Sequence, residues 1–217
     1  MPATQHDAVL WLSGGSYDVV FDIAHQIIAE LEPVASVVEE NSSWPYHHDR
    51  DLTGFIDGTE NPSLIEAVEV AVIPEGSTGE GGTILLLQKW EHDIRAWEAL
   101  GVEGQESVMG RRKSDSEELE EKPETSHVAR TDQDRLGKIF RRNMPYGTVS
   151  DHGTMFVGFS AERRRLDVML RSMVGLDGGT RDELTRYTRP LTGAYYFIPS
   201  TEALRRGAEN VTDLRDR

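Results

Sequence analysis

Apolar residues recur along the chain at two periods, and the breaks between them fall at glycine and proline. Ala8-Val9-Leu10-Trp11-Leu12 is a short apolar run closed by Gly14-Gly15, the pattern of a buried strand. Ser16 then caps a helix in which Val20, Ala24, Ile27, Ile28 and Leu31 return at helical spacing. Pro33 stops it, and Val34 to Val38 reads as a second strand. Ser63 to Val72 is weakly helical. Gly81 to Gln88, with Ile84-Leu85-Leu86-Leu87 at its centre, is the clearest buried strand. An amphipathic helix is expected over Trp90 to Leu100 and a shorter one over Gly104 to Gly110. Strands follow over Lys138 to Asn143, ending at Pro145-Tyr146-Gly147, and over Thr154 to Phe159. Leu166, Met169, Leu170 and Met173 define a helix over Glu162 to Val174, stopped by Gly175. Arg181 to Tyr187 reads as a short helix, Gly193 to Ile198 as a last strand, and the residues beyond Arg205 as a polar tail. Strands and helices mix without strict alternation, which favours an α+β fold with antiparallel sheets.

Composition narrows the function classes. The chain has 217 residues, enough to bury a real core, and 37% of them are hydrophobic. A formal net charge of −15 argues against nucleic acid or an anionic membrane as partner, since both need basic patches. With no cysteine there is no disulfide, thiolate ligand or cysteine nucleophile, so any metal is held by nitrogen or oxygen. Met1 to Leu12 lacks a basic region followed by a long apolar run, and no stretch approaches a membrane span. A soluble cytoplasmic protein without a signal peptide is the expectation. The adjacent His47 and His48 point to opposite sides of an extended chain and make a poor metal pair. Glu117, Glu118, Glu120 and Glu121 read as a solvated loop, their spacing being wrong for calcium.

The chemistry-bearing stretch is Gly54-Phe55-Ile56-Asp57-Gly58-Thr59-Glu60-Asn61-Pro62. Two glycines bracket one carboxylate and Asn-Pro closes the run, which makes a tight loop presenting Asp57. Further along stand His127, in Ser126-His127-Val128, and Arg141 with Asn143 two residues later. Residues two apart on a strand share a face, so Arg141 and Asn143 can enter one pocket while Arg142 points away. An aspartate and an arginine facing one space form an acid–base and charge-stabilising pair, and a histidine opposite can ligate a metal. Each also has a plainer reading: Asp57 as a turn former, His127 as a hydrogen-bonded surface histidine, Arg141 as half of a salt bridge.

The Gly54 to Pro62 run resembles the signature of the dye-decolorizing peroxidases, a family of haem enzymes. The resemblance continues through Gly82 to Trp90, Gln105 to Lys113, Pro123 to His127, Arg141 to Gly147 and Thr192 to Phe197, in order, and is nearest the bacterial cytoplasmic branch. It implies two ferredoxin-like domains of antiparallel sheet flanked by helices. The N-terminal one, residues 1–75, is incomplete because members carry several tens of residues ahead of the strand at Ala8. A haem-binding domain spans 76–206 and a polar tail 207–217. It implies a b-type haem with His127 as axial ligand of the iron, Asp57 and Arg141 as distal residues and Asn143 as a polar companion. Gly58 and Thr59 join them beside the haem, and Phe156 lies on the distal wall. Hydrogen peroxide and small organic electron donors such as dyes and phenolics are the implied substrates, and a homo-oligomer the implied assembly. Trp90, Trp97, Tyr195 and Tyr196 are candidate electron relays or simply core aromatics. The alternative is a haem-binding protein without peroxidase turnover.

Overall fold

The computed structural model describes residues 1–207. Residues 6–42 form one compact unit, and residues 1–5 with those from Ser43 onward form another. Residues 201–207 are helical, so the start of the polar tail expected beyond Arg205 continues a helix, and the rest of that tail lies outside the described residues.

In the smaller unit the sequence pattern holds for the helix and fails for the strands. Helix α1 runs Tyr17–Leu31 and buries none of its residues, with Ile28 40% and Leu31 37% exposed. Residues 8–12 and 34–38, expected as strands, are not strands. A strand exists only as one side of a hydrogen-bonded ladder, and no described strand pairs with either segment.

The larger unit is α+β, built on a six-stranded antiparallel sheet. Its centre is β1, Thr83–His92, which pairs along nearly its whole length with β4, His152–Ser160. On its other edge β1 pairs with β5, Thr188–Pro190, and β6, Ala194–Ile198. The far edge of β4 takes β2, Phe140–Arg141, and β3, Met144–Gly147. β1 passes through Trp90 to His92, where a helix was expected, because all three pair with β5 and the first two also pair with β4. The helix starts only after Asp93, whose carboxylate accepts the Ala96 N–H as a cap. It comprises α3, Ile94–Ala99, and α4, Gly101–Met109, and Gly110 at φ 83° ends it in the left-handed conformation. Earlier in the chain, α2, Leu64–Ala71, is set by a capping box between Ser63 and Glu66.

Two short helices, α5, His127–Arg130, and α6, Gln133–Leu136, precede β2, and one face of the sheet is covered by α7, Arg163–Met173, whose stripe at 166, 169, 170 and 173 was legible in the sequence. Leu166 and Met169 pack with Leu86 and Ile139 into a buried cluster flanked by Phe156 and Tyr195. A second cluster joins Phe55, Trp97, Val108 and Met109. Trp97 is 3% exposed and donates its indole N–H to Thr53 O at 3.1 Å, while Tyr195 Oη donates to Asp167 at 2.6 Å. Among the described residues no helix is long and apolar enough to cross a membrane.

Candidate active site

The pleat of two central strands builds the cavity. Leu86, Gln88, Trp90 and His92 alternate along β1, and all four line one cavity. Their cross-strand partners Phe156 and Thr154 line it too, since Gln88 faces Phe156 and Trp90 faces Thr154. Arg141 sits across Gly158 from Leu86 and so enters from the same side. Gly158 is required here: a Cβ would lie 2.7 Å from the Phe156 ring. Leu166, Met169, Leu170 and Met173 of α7 form the opposite wall, and the space amounts to about 840 Å3, part of it open to solvent.

His127 begins α5, His127–Arg130, whose N-cap Ser126 accepts the Ala129 N–H. Its Nδ1 lies 2.7 Å from Oδ2 of Asp182, a fully buried carboxylate that also accepts the Leu184 N–H at 2.9 Å. An acceptor at Nδ1 fixes the tautomer and leaves the Nε2 lone pair for a metal. Sequence reading missed Asp182, because an aspartate opening the short 3-10 helix Glu183–Arg186 looks like nothing more than a cap.

Arg141 and Asn143 both reach the cavity, although the strand expected over 138–143 is only Phe140–Arg141 and Asn143 lies in the break before β3, where it bonds Asp57 instead of a neighbouring strand. The Arg141 backbone is clamped by Asn61, whose amide accepts the Arg141 N–H and donates to its carbonyl, both at 2.8 Å. Its guanidinium makes no hydrogen bond or ion pair among the described residues, and Nε is buried. Asn143 interrupts the β2–β3 edge: its N–H goes to Asp57 Oδ2 at 3.3 Å, and its Oδ1 accepts the Val157 N–H. Its Nδ2 donates to Asp57 Oδ1 at 2.8 Å. Asp57 therefore stands one hydrogen bond behind the cavity wall. Gly58 and Thr59 are also off the wall, and Gly58 at φ 70° packs so near the Asn61 amide that a Cβ would lie 2.7 Å from it.

The Asp57 loop is fastened from outside. Arg50 donates to Gly54 O at 2.6 Å and to Lys113 O at 3.0 Å. Arg111 pairs with Glu60 at 2.6 Å, and Ser116 Oγ accepts the Ile56 N–H. An isolated bridge between Arg50 and Ile56 makes the loop a small hairpin, which puts Asp51 and Asp57 on one side of it.

Asp51 lines the cavity and was not singled out in the sequence, where it passes for a turn former. Its Oδ1 accepts both the backbone N–H and the hydroxyl of Thr53. Desolvation pushes its carboxyl up to about 6, the nearby Asp57 charge adding to the effect and the Thr53 hydroxyl opposing it. Burial pushes His92, also in the wall, down to about 4. The two act oppositely on stability. The raised Asp51 contributes stability below its ordinary value of 3.8, which is lost as pH rises through about 6. The depressed His92 contributes stability above 6.5, which is lost as pH falls through about 4. Asp51→Asn keeps the acceptor for Thr53 and removes the ionisation. The variant is expected to match the parent below pH 4 and exceed it above pH 6 by up to roughly 2–3 kcal/mol. Thermal unfolding across that range checks this, and an equal effect at both ends would contradict it.

Comparison with known proteins places this geometry. The family model described as Dyp-type peroxidase, C-terminal, matches residues 48–203. The chain belongs to the Dyp-type peroxidase family. It is 37% identical over 213 residues to the dye-decolorizing peroxidase of Brevibacterium linens, covering 94% of this chain and 58% of that protein. Identity to the Mycobacterium tuberculosis dye-decolorizing peroxidase is also 37%, over 94% of this chain and 64% of that one. Among solved structures, the dye-decolorizing protein from V. cholerae superimposes with a TM-score of 0.82 at 39% identity, covering 88% of this chain and 66% of the other. A variant of DypB from Rhodococcus jostii RHA1, solved in complex with heme, gives 0.82 at 34% identity, covering 88% and 65%. The chain spans about three fifths of the length of the curated Dyp-type relatives it matches.

Proposed function

We propose that this chain carries haem-dependent peroxidase chemistry, reducing hydrogen peroxide and oxidising small organic donors such as dyes and phenolics. The observation that carries the reading is one cavity holding a histidine braced by a buried carboxylate together with an arginine whose guanidinium has no partner among the described residues. The residues fit a haem b. Nε2 of His127 is a neutral nitrogen donor suited to iron, and Leu86, Ile139, Phe156, Leu166 and Met169 supply an apolar surface for a porphyrin. The orphaned Arg141 supplies charge toward the open space. The chemistry that bound haem supplies is the reduction of peroxide to water and the later acceptance of electrons from donors.

Within this reading His127 would hold the haem iron through Nε2, and Asp182 holds its Nδ1 proton and thereby raises the basicity of Nε2. Arg141 cannot lose its proton, so it holds a peroxide anion with a fixed positive charge. Asp57 would take a proton from one peroxide oxygen and return it to the other, and Asn143, bonded to both Asp57 oxygens, keeps that carboxylate in place. Gly58 and Thr59 shape the Asp57 loop, and Phe156 would help exclude water from the cavity. The division into a partial N-terminal ferredoxin-like domain, 1–75, and a haem-binding domain, 76–206, belongs to the same reading. So does a homo-oligomer working in the cytoplasm, which sedimentation velocity and cell fractionation check.

The decisive experiment is the visible absorption spectrum of the purified chain titrated with hemin, followed by one equivalent of peroxide. A Soret band saturating at one haem per chain and changing at once with peroxide is expected. No stoichiometric band overturns the proposal, and a band indifferent to peroxide reduces it to haem binding.

A further inference from the structure

Arg130, at the last position of α5, lies in a second cavity that shares no residue with the first. Glu124, Arg130, Arg135, Asp177, Gly178 and Thr180 line about 570 Å3, partly open to solvent, and the lining is polar where the first cavity is mainly apolar. Its walls are the helix that begins with His127 and the loop that leads into Asp182.

The charge on Arg130 is poorly compensated for so enclosed a group. Its side chain is 9% exposed, Nη2 donates to the neutral Ser172 hydroxyl at 3.0 Å, and Nε is buried with no partner among the described residues. The nearest carboxylate oxygen is that of Glu124, 3.7 Å from Nη1 on a side chain that is 80% exposed. That distance is beyond a hydrogen bond, and a solvated glutamate is a weak counter-charge for a guanidinium removed from water. Arg135 donates to Ala129 O at 3.2 Å and has no carboxylate within 4 Å among the described residues. Asp177 is already engaged by Arg171 through two hydrogen bonds, at 3.0 and 3.2 Å. The cleft thus sets two guanidinium groups against one loosely held carboxylate, within a chain of net charge −15.

Neutral donors complete it. Gly178 at φ 126° has nothing within 4 Å of where a Cβ would sit, and its N–H has no acceptor among the described residues. The Thr180 hydroxyl donates to Glu124 Oε1 at 3.2 Å, so a carboxylate oxygen of the chain itself stands between Thr180 and Arg130.

We propose that this cleft binds a small oxyanion, a phosphate or a carboxylate, between Arg130, Arg135, the Gly178 N–H and the Thr180 hydroxyl, and that Glu124 is the internal carboxylate it displaces. Planar guanidinium forks match either anion in bidentate fashion, and a tetrahedral phosphate uses more of the donors. The site stands apart from the peroxidase reading and holds whether or not haem binds.

Titration calorimetry of the full chain with sodium phosphate, and separately with succinate, at fixed ionic strength tests it. One saturable site is expected, and the tighter of the two anions identifies the source. Arg135→Gln, an exposed substitution that leaves the core intact, is expected to weaken binding about tenfold, the worth of one charge-assisted hydrogen bond. Glu124→Gln removes the internal competitor and is expected to tighten binding several-fold. A purely structural Arg130–Glu124 contact predicts the opposite, a variant that is less stable and binds no better. Absence of saturable heat with both anions, unchanged affinity in Arg135→Gln, or weaker binding in Glu124→Gln would each overturn the site.

Discussion

His127→Ala is expected to lower haem affinity by at least ~100-fold, because loss of an outer partner of a metal-bound histidine alone costs 10–100-fold. The substitution leaves the α5 backbone untouched, and the bonds from Thr131 to the His127 carbonyl remain. It does strand the buried Asp182 carboxylate, so some loss of stability comes with it. Two controls separate ligation from folding. Imidazole added in solution should restore the Soret band in the alanine variant. The double change His127→Ala with Asp182→Asn should recover stability without recovering haem. A native-like haem spectrum in His127→Ala would reject this residue as the ligand.

Arg141→Leu is expected to bind haem as the parent does and to react with peroxide about 10²–10³-fold more slowly, the usual cost of removing one preorganised charge donor. The guanidinium has no partner among the described residues, so the substitution breaks no ion pair and leaves no stranded carboxylate. The Asn61 clamp grips the backbone of residue 141 and survives the change. Stopped-flow mixing with peroxide measures the rate, and hemin titration verifies that affinity is held. Unchanged peroxide kinetics would remove Arg141 from the mechanism. An equal fall in haem affinity would instead make it a cofactor anchor.

Patterns local in the chain were legible from the residues alone. The run Ile84 to Leu87 gave β1, the stripe Leu166 to Met173 gave α7, and the spacing of Arg141 and Asn143 was right in bringing both to one cavity, although only Arg141 lies on a strand. Ordered motifs carried the family resemblance, and the α+β class followed from the mix of elements. Each of these depends on residues within a few positions of one another, where periodicity and turn chemistry act directly.

Long-range contacts decided the rest. Trp90 to His92 are amphipathic enough for a helix, but β4 and β5 claim their backbone groups, and the strand wins. Residues 8–12 and 34–38 have strand composition without a described strand to complete their ladders, so composition does not suffice. Asp182 meets His127 across 55 positions, and Asn143 meets Asp57 across 86. Asp51 and His92 are ordinary in sequence, and enclosure in the cavity wall shifts their proton affinities. Local sequence therefore marked the centre of β1, the course of β4 and β6 and the covering helix α7, and it showed which residue types could do chemistry. Which of those residues share a cavity is set by cross-strand register and by hydrogen bonds between distant loops, neither of which is written in any local stretch of the chain.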